Sequence, residues 1–177
     1  EIRLTLTITS LADECGNVIL PINQDFIYFD AQAHDIVINE IMIDPEPSIE
    51  LPEYEYIELY NSSEFEIDLT NWILHVGSTK KVIPSVKIAS GEFLILCDDE
   101  AETLFKPYGN VMIFASFPSL PNSEQTIILR NKLGKIIHSL TYSDDWYQDE
   151  YKAEGGWSLE QIDPMNPCGE ARNWIAS

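Results

Sequence analysis

Ile36-Val37-Ile38-Asn39-Glu40-Ile41, Glu55-Tyr56-Ile57-Glu58-Leu59-Tyr60-Asn61 and Leu69-Thr70-Asn71-Trp72-Ile73-Leu74 are the three runs whose reading decides the fold. The first two are rich in β-branched and aromatic residues and are separated by an acidic loop that prolines keep irregular. The third carries Trp72 and follows the polar turn Asn61-Ser62-Ser63. That triplet also fits a glycosylation sequon, but between two strand-like runs it reads as a turn. Two strands, an irregular loop and a Trp-bearing third strand outline a small β-sandwich.

Downstream, strand-like runs continue at the close spacing of an all-β sandwich. The pattern predicts strands over Ile36 to Ile43, Tyr54 to Asn61, Phe65 to Leu69, Trp72 to Val76, Lys81 to Ile83, Glu92 to Cys97, Val111 to Phe114, Thr126 to Arg130, Ile136 to Tyr142 and Trp157 to Gln161. Asn131-Lys132-Leu133-Gly134 closes a hairpin. Only Asp98 to Tyr108 reads as helical, with Asp98 or Asp99 as its cap and Pro107 and Gly109 as its stop. Upstream, Ile2, Leu4, Leu6 and Ile8 alternate with Arg3, Thr5, Thr7 and Thr9, the period of a half-buried strand. Asp13-Glu14-Cys15-Gly16-Asn17 then makes a turn, and Phe26 to Phe29 forms a further strand.

These signals, in this order, resemble the lamin tail domain in the form found in secreted bacterial proteins. The carriers are the INEI, EYIELYN and LxxW runs, then Ser90-Gly91-Glu92-Phe93-Leu94-Ile95-Leu96, Gln125 to Leu129 with Gly134 to Ile137, and Gly155-Gly156-Trp157-Ser158-Leu159-Glu160 with Asn173-Trp174. His138-Ser139-Leu140-Thr141-Tyr142 departs from the family's acidic V-D-x-V-x-Y-like strand. The resemblance implies an Ig-like β-sandwich over residues 34–177. Residues 1–33 resemble the closing strands of a bacterial Ig-like domain plus a linker. They belong either to a domain whose other strands lie upstream or to a hairpin extension of the sandwich.

The chain has 177 residues, 45% hydrophobic, enough for a buried core. Its 30 acidic and 10 basic residues give a formal charge of −20, and from Leu4 to Thr79 there are 15 Asp or Glu and no Lys or Arg. Affinity for phosphate backbones comes largely from Lys and Arg releasing counterions, so nucleic acid is excluded as a partner, although some eukaryotic lamin tails are said to bind it. No run is long enough for a transmembrane helix, so no direct membrane insertion is expected. The resemblance places the protein outside the cell, on its surface or in the periplasm. Cys15, Cys97 and Cys168 form no CxxC; Cys97 reads as a buried small hydrophobe, and a Cys15–Cys168 bridge is left open.

No nucleophile, base or metal motif stands at a known spacing: HExxH, GxSxG, GxGxxG, the P-loop and the EF-hand are all absent. His34, His75 and His138 are scattered. The expectation is a non-catalytic spacer or interaction module with no cofactor. The alternatives are a Ca²⁺-dependent adhesion or ligand-binding module and an accessory domain of a secreted nuclease or phosphatase.

Ca²⁺ takes six to eight oxygen ligands, mostly from loops. The candidates here are Asp44, Glu46, Glu55 and Glu58; Asp144, Asp145, Asp149 and Glu150 form a second acidic cluster. Alternation sets Glu55 with Ile57 and Leu59, and Tyr56, Glu58 and Tyr60 on the other face. A carboxylate on an apolar face, Glu40 included, needs a backbone N–H, a Tyr hydroxyl or a cation. For contact with a protein or carbohydrate partner, Trp146 and Tyr147 are the candidates, because no strand is available in the Ser143 to Glu154 loop to bury their rings. Trp157 and Trp174 read as core or sheet-edge cover.

Overall fold

A computed structural model describes residues 2–166 and 168–177. The chain forms two compact units, Glu1–Asp30 and Ala31–Ser177. In the first, β1 (Ile2–Ile8) and β2 (Ile22–Tyr28) pair antiparallel from Ile2↔Tyr28 to Ile8↔Ile22. The Asp13 carboxylate accepts from the Cys15 and Asn17 amides at 2.9 Å, with Gly16 at φ +84°, the left-handed conformation that favours glycine. The alternation of β1 is as read, but its burial is not: Ile2 is 56% and Leu4 42% exposed. Two strands have no second layer within their own unit to cover an apolar face.

The second unit is an all-β sandwich. Its strands are β3 (Ile36–Met42), β4 (Tyr56–Asn61), β5 (Ile67–Asp68), β6 (Ile73–Val76), β7 (Thr79–Val82), β8 (Lys87–Ile88), β9 (Phe93–Asp98), β10 (Val111–Phe114), β11 (Glu124–Arg130), β12 (Ile136–Ser143), β13 (Leu159–Gln161) and β14 (Trp174–Ala176). One sheet runs β10-β9-β4-β3-β13-β14, the other β12-β11-β6-β7, and β5 pairs with β8. The helical segment is shorter than its pattern, a 3₁₀ turn at Asp99–Ala101 followed by α1 (Glu102–Phe105), with the Asp98 carboxylate accepting from the Glu100 amide. β8 and β14 escape the sequence pattern because, unlike the equally short β5 and β13, they do not lie inside a longer run that reads as a strand.

Cross-strand partners share a face. Ile41, Ile57 and Leu96 form one inward row of the large sheet and Leu59 with Leu94 another; Leu74 with Leu129 and Val76 with Ile127 do the same in the small sheet. All nine are buried. Trp72 is 3% exposed, its backbone bonded to Leu69 and Ile83. The buried Asn61 amide donates to the Phe65 and Ile88 carbonyls at 2.7 and 2.9 Å, so this residue serves the turn. On the outer face of the large sheet, Met42, Tyr56, Ile95 and Cys97 pack under Ala101 and Phe105 of the helical segment. No helix among the described residues is long and apolar enough to cross a membrane.

Gly155 and Gly156 lock the C-terminal segment against the loop between β3 and β4. Gly156 N donates to the Asp44 carbonyl at 2.8 Å, and a Cβ on Gly156, at φ +79°, would stand 2.1 Å from the Pro47 carbonyl oxygen. Gly156→Ala should therefore lower stability by about 1–3 kcal/mol or more in chemical denaturation; a neutral result would mean the two segments do not touch. Trp72→Ala should cost about 3–5 kcal/mol, and a loss below about 1 kcal/mol would remove Trp72 from the core.

Candidate functional site

Glu58, Glu40 and Glu160 stand side by side on β4, β3 and β13, paired Glu40↔Glu58 and Glu160↔Glu40. Simple alternation would put Glu40 with Ile36 and Ile38, but the register shifts between Ile38 and Glu40. This bulge at Asn39 turns Glu40 to the outer face. One Glu40 oxygen accepts from the Tyr56 hydroxyl at 2.6 Å and from the Ser158 hydroxyl. Glu58 accepts from the Asn39 amide at 3.0 Å. Burial pushes the Glu58 carboxyl up to about 7 against that hydrogen bond, and the charges of Glu40 and Glu160 push the same way. Burial, then Glu40, also raises Glu160.

Of the four calcium candidates, Asp44 lies near Glu55 and flanks Gly155 together with Glu46, whereas Glu58 stands apart from them on β4. Glu55 accepts from the Leu120 amide at 2.9 Å, and burial raises its pKa, with the Asp44 charge a lesser cause. Glu46 meets Gly155 through its backbone carbonyl. Glu58 belongs to the Glu40 row. Among the described residues no three His, Cys, Asp or Glu side chains are placed to hold a metal ion. In the second acidic cluster, the Asp149 carboxylate accepts from the Tyr151 and Lys152 amides and so shapes its own turn.

His138 is buried, and its Nδ1 accepts from the Ile38 amide at 3.0 Å, which leaves the ring proton on Nε2. Its ring meets that of His34 edge-on at 5.6 Å. All three cysteines are free. Cys97 is buried, and burial pushes its thiol up to about 11.

The two contact candidates separate. Tyr147 is 4% exposed and its hydroxyl donates to the Trp157 carbonyl at 3.0 Å, so it is core and not contact surface. Residues from the C-terminal segment bury it, which no local strand signal foretold. Burial raises its phenol pKa. Trp146 is half-buried, in the 3₁₀ turn that follows β12, and lies in a tilted stack on the buried Trp174 at 5.5 Å. Trp157 is half-buried under the Lys152 ammonium, 4.4 Å from its ring centre. Trp146 and Trp174 line a cavity of about 420 Å³ together with Gln161, a residue that sequence reasoning passed over as an ordinary strand position.

Residues 30–144 match the family model of the Lamin Tail Domain. The chain belongs to the lamin tail domain family. A search of curated proteins finds no match. The match ends just after β12, so β13 and β14, which complete the large sheet of this lamin tail domain, lie beyond it. The same holds for Trp146, Gln161 and Trp174: the groove joins the family's sandwich to a segment outside the matched region.

The outer carboxylate row of this lamin tail domain makes its stability depend on pH. Glu58 has a higher pKa folded than its ordinary value of 4.5, so the folded state holds the extra proton. The stabilisation is complete below about pH 4.5 and is lost as pH rises through about 7. Melting temperatures should therefore fall between pH 5 and 8, and Glu58→Gln should flatten that fall; an unchanged slope in the variant would mean that Glu58 titrates normally.

Proposed function

We propose that this lamin tail domain is a non-catalytic spacer and interaction module of an exported bacterial surface protein, contacting its partner, a protein or a carbohydrate, through the groove at Trp146. One contrast carries the reading. The groups that catalysis would draw on are held by bonds inside the fold: Glu40 by Tyr56 and Ser158, Glu55 by Leu120, and His138 by Ile38. The Trp146 groove, which His138 also lines, presents instead a half-buried indole beside the exposed Ser139 and Thr141. β-Sandwich modules commonly serve as scaffolds whose chemistry resides elsewhere in a chain. A formal charge of −20 supports a role in a solvated setting away from nucleic acid.

The reading is tested by panning the 177-residue chain against a displayed-peptide library and an oligosaccharide array, with the Trp146→Ala variant as control. The expected outcome is at least one ligand that the wild type retains and the variant does not. If no ligand in either library depends on Trp146, the contact surface is refuted and only the spacer remains.

A further inference from the structure

We infer that the groove between the edge of β12 and strand β14 binds a neutral carbohydrate, with the Trp146 indole as its stacking platform and Gln161 as an acceptor for its hydroxyls. This rests on the interaction-module reading above and names the ligand class of that same groove.

The groove is polar on one side and aromatic on the other. Its polar wall begins with a strand edge. β12 pairs only with β11 in its sheet. The Thr126 carbonyl is turned to Gly77, and Thr126 lies opposite Thr141, so the Thr141 backbone points away from β11. By the same alternation Ser139 points that way, as does Ile137, whose carbonyl accepts from the His34 amide at 2.7 Å. Ser139 and Thr141 both line the cavity. The hydroxyls of Thr126 and Thr141, 2.8 Å apart, stand on the same wall.

Gln161 supplies the observation that points to a ligand. It is 5% exposed and lines the cavity, and its side-chain oxygen has no hydrogen-bond donor. Buried acceptors are nearly always paired. The oxygen is shielded from solvent, so a hydroxyl entering the groove pairs it once the Gln161 side chain turns toward the opening.

Charge and ring geometry select among ligands with hydroxyl or N–H donors. Glu170 lines the groove and the whole chain carries −20, which disfavours uronates, sialates and phosphorylated sugars. A quaternary or lysine-like cation would call for rings arranged as a cage. Here the Trp146 indole meets the buried Trp174 ring in a tilted contact, 36° from parallel, so the groove has one accessible ring and no cage. An aromatic face beside donors and acceptors suits a pyranose, which offers C–H groups on one face and hydroxyls around its rim. The volume, about 420 Å³, is that of a site for a small ligand. A cavity beside Glu40 and Ser158 is a weaker candidate, because Ser158 bonds to both Glu40 and Ser177.

The test titrates the isotope-labelled chain with neutral disaccharides of glucose, galactose, mannose and N-acetylglucosamine, following the indole N–H of Trp146 and the side-chain amide of Gln161. A glucuronate disaccharide and a lysine-rich peptide serve as parallel arms. At least one neutral disaccharide should shift both signals, and Trp146→Ala should weaken its binding about tenfold or more. Gln161→Met should also weaken it while keeping the wall's bulk, and a thermal melt of each variant shows whether it is folded. Because the shifts are read on the wild type, a misfolded variant does not blunt the test.

The inference is overturned if neutral sugars leave both signals in place, or if only the glucuronate or the peptide moves them. A peptide that binds in a Trp146-dependent way would overturn the carbohydrate while leaving the interaction module standing. Silence in every arm, together with no Trp146-dependent ligand in the library screen, would remove both.

Discussion

The hydrogen bond from the Ile38 amide to His138 Nδ1 joins the two sheets at the point where one needs a partner and the other has an edge. A bulge at Asn39 interrupts the β3 ladder against β4. A buried backbone amide next to such an interruption must find an acceptor, and His138 of β12 supplies it. β12 is thereby held against β3 instead of continuing its own sheet. The remaining outward groups of β12 then face the space closed by β13, β14 and the turn that carries Trp146. The groove is a consequence of this junction, and His138 is part of its lining.

The same bulge shapes the electrostatics of the outer face. It moves Glu40 out of the core pattern and into line with Glu58 and Glu160, three carboxylates on adjacent strands. Like charges directly opposite each other are unfavourable. The fold offsets this with donors, Tyr56 and Ser158 to Glu40 and Asn39 to Glu58, and by holding Glu58 protonated over a wider pH range. The helical segment covers only the neighbouring apolar part of that face, over Met42, Tyr56 and Cys97. An acidic surface and a folded core thus coexist because the carboxylates are placed where short hydrogen bonds or solvent receive them.

Much of the fold was legible in the chain. The runs that became β3, β4, β6, β9, β11 and β12 each carry enough apolar periodicity to declare a strand, and Trp72 lies where its run placed it. Separation of Glu55 from Glu58 followed from alternation alone. The errors have a common cause. Glu40 changed face because a bulge adds one residue to a period of two, and no local signal marks it. Tyr147 was read as exposed because no adjacent strand could bury it; Trp157, ten residues away, accepts its hydroxyl proton. Of the calcium candidates, Glu58 is the one that parted from the others, because the sheet sends it toward Glu40 and Glu160. The β1 alternation was correct, and its burial depended on a layer that a two-stranded hairpin does not contain.

By itself, the sequence determined the all-β class, the strand series, the family membership and the acidity of this protein, because periodicity, composition and ordered short motifs are properties of neighbouring residues. Tertiary structure alone decided which carboxylates meet, which of two adjacent aromatic residues is surface, and that Gln161 faces a groove without a donor. Those outcomes depend on contacts between residues tens of positions apart, such as Ile38 with His138 and Trp146 with Trp174. Local patterns encode a residue's face on its own strand; what stands across from that face is set only when the sheets close.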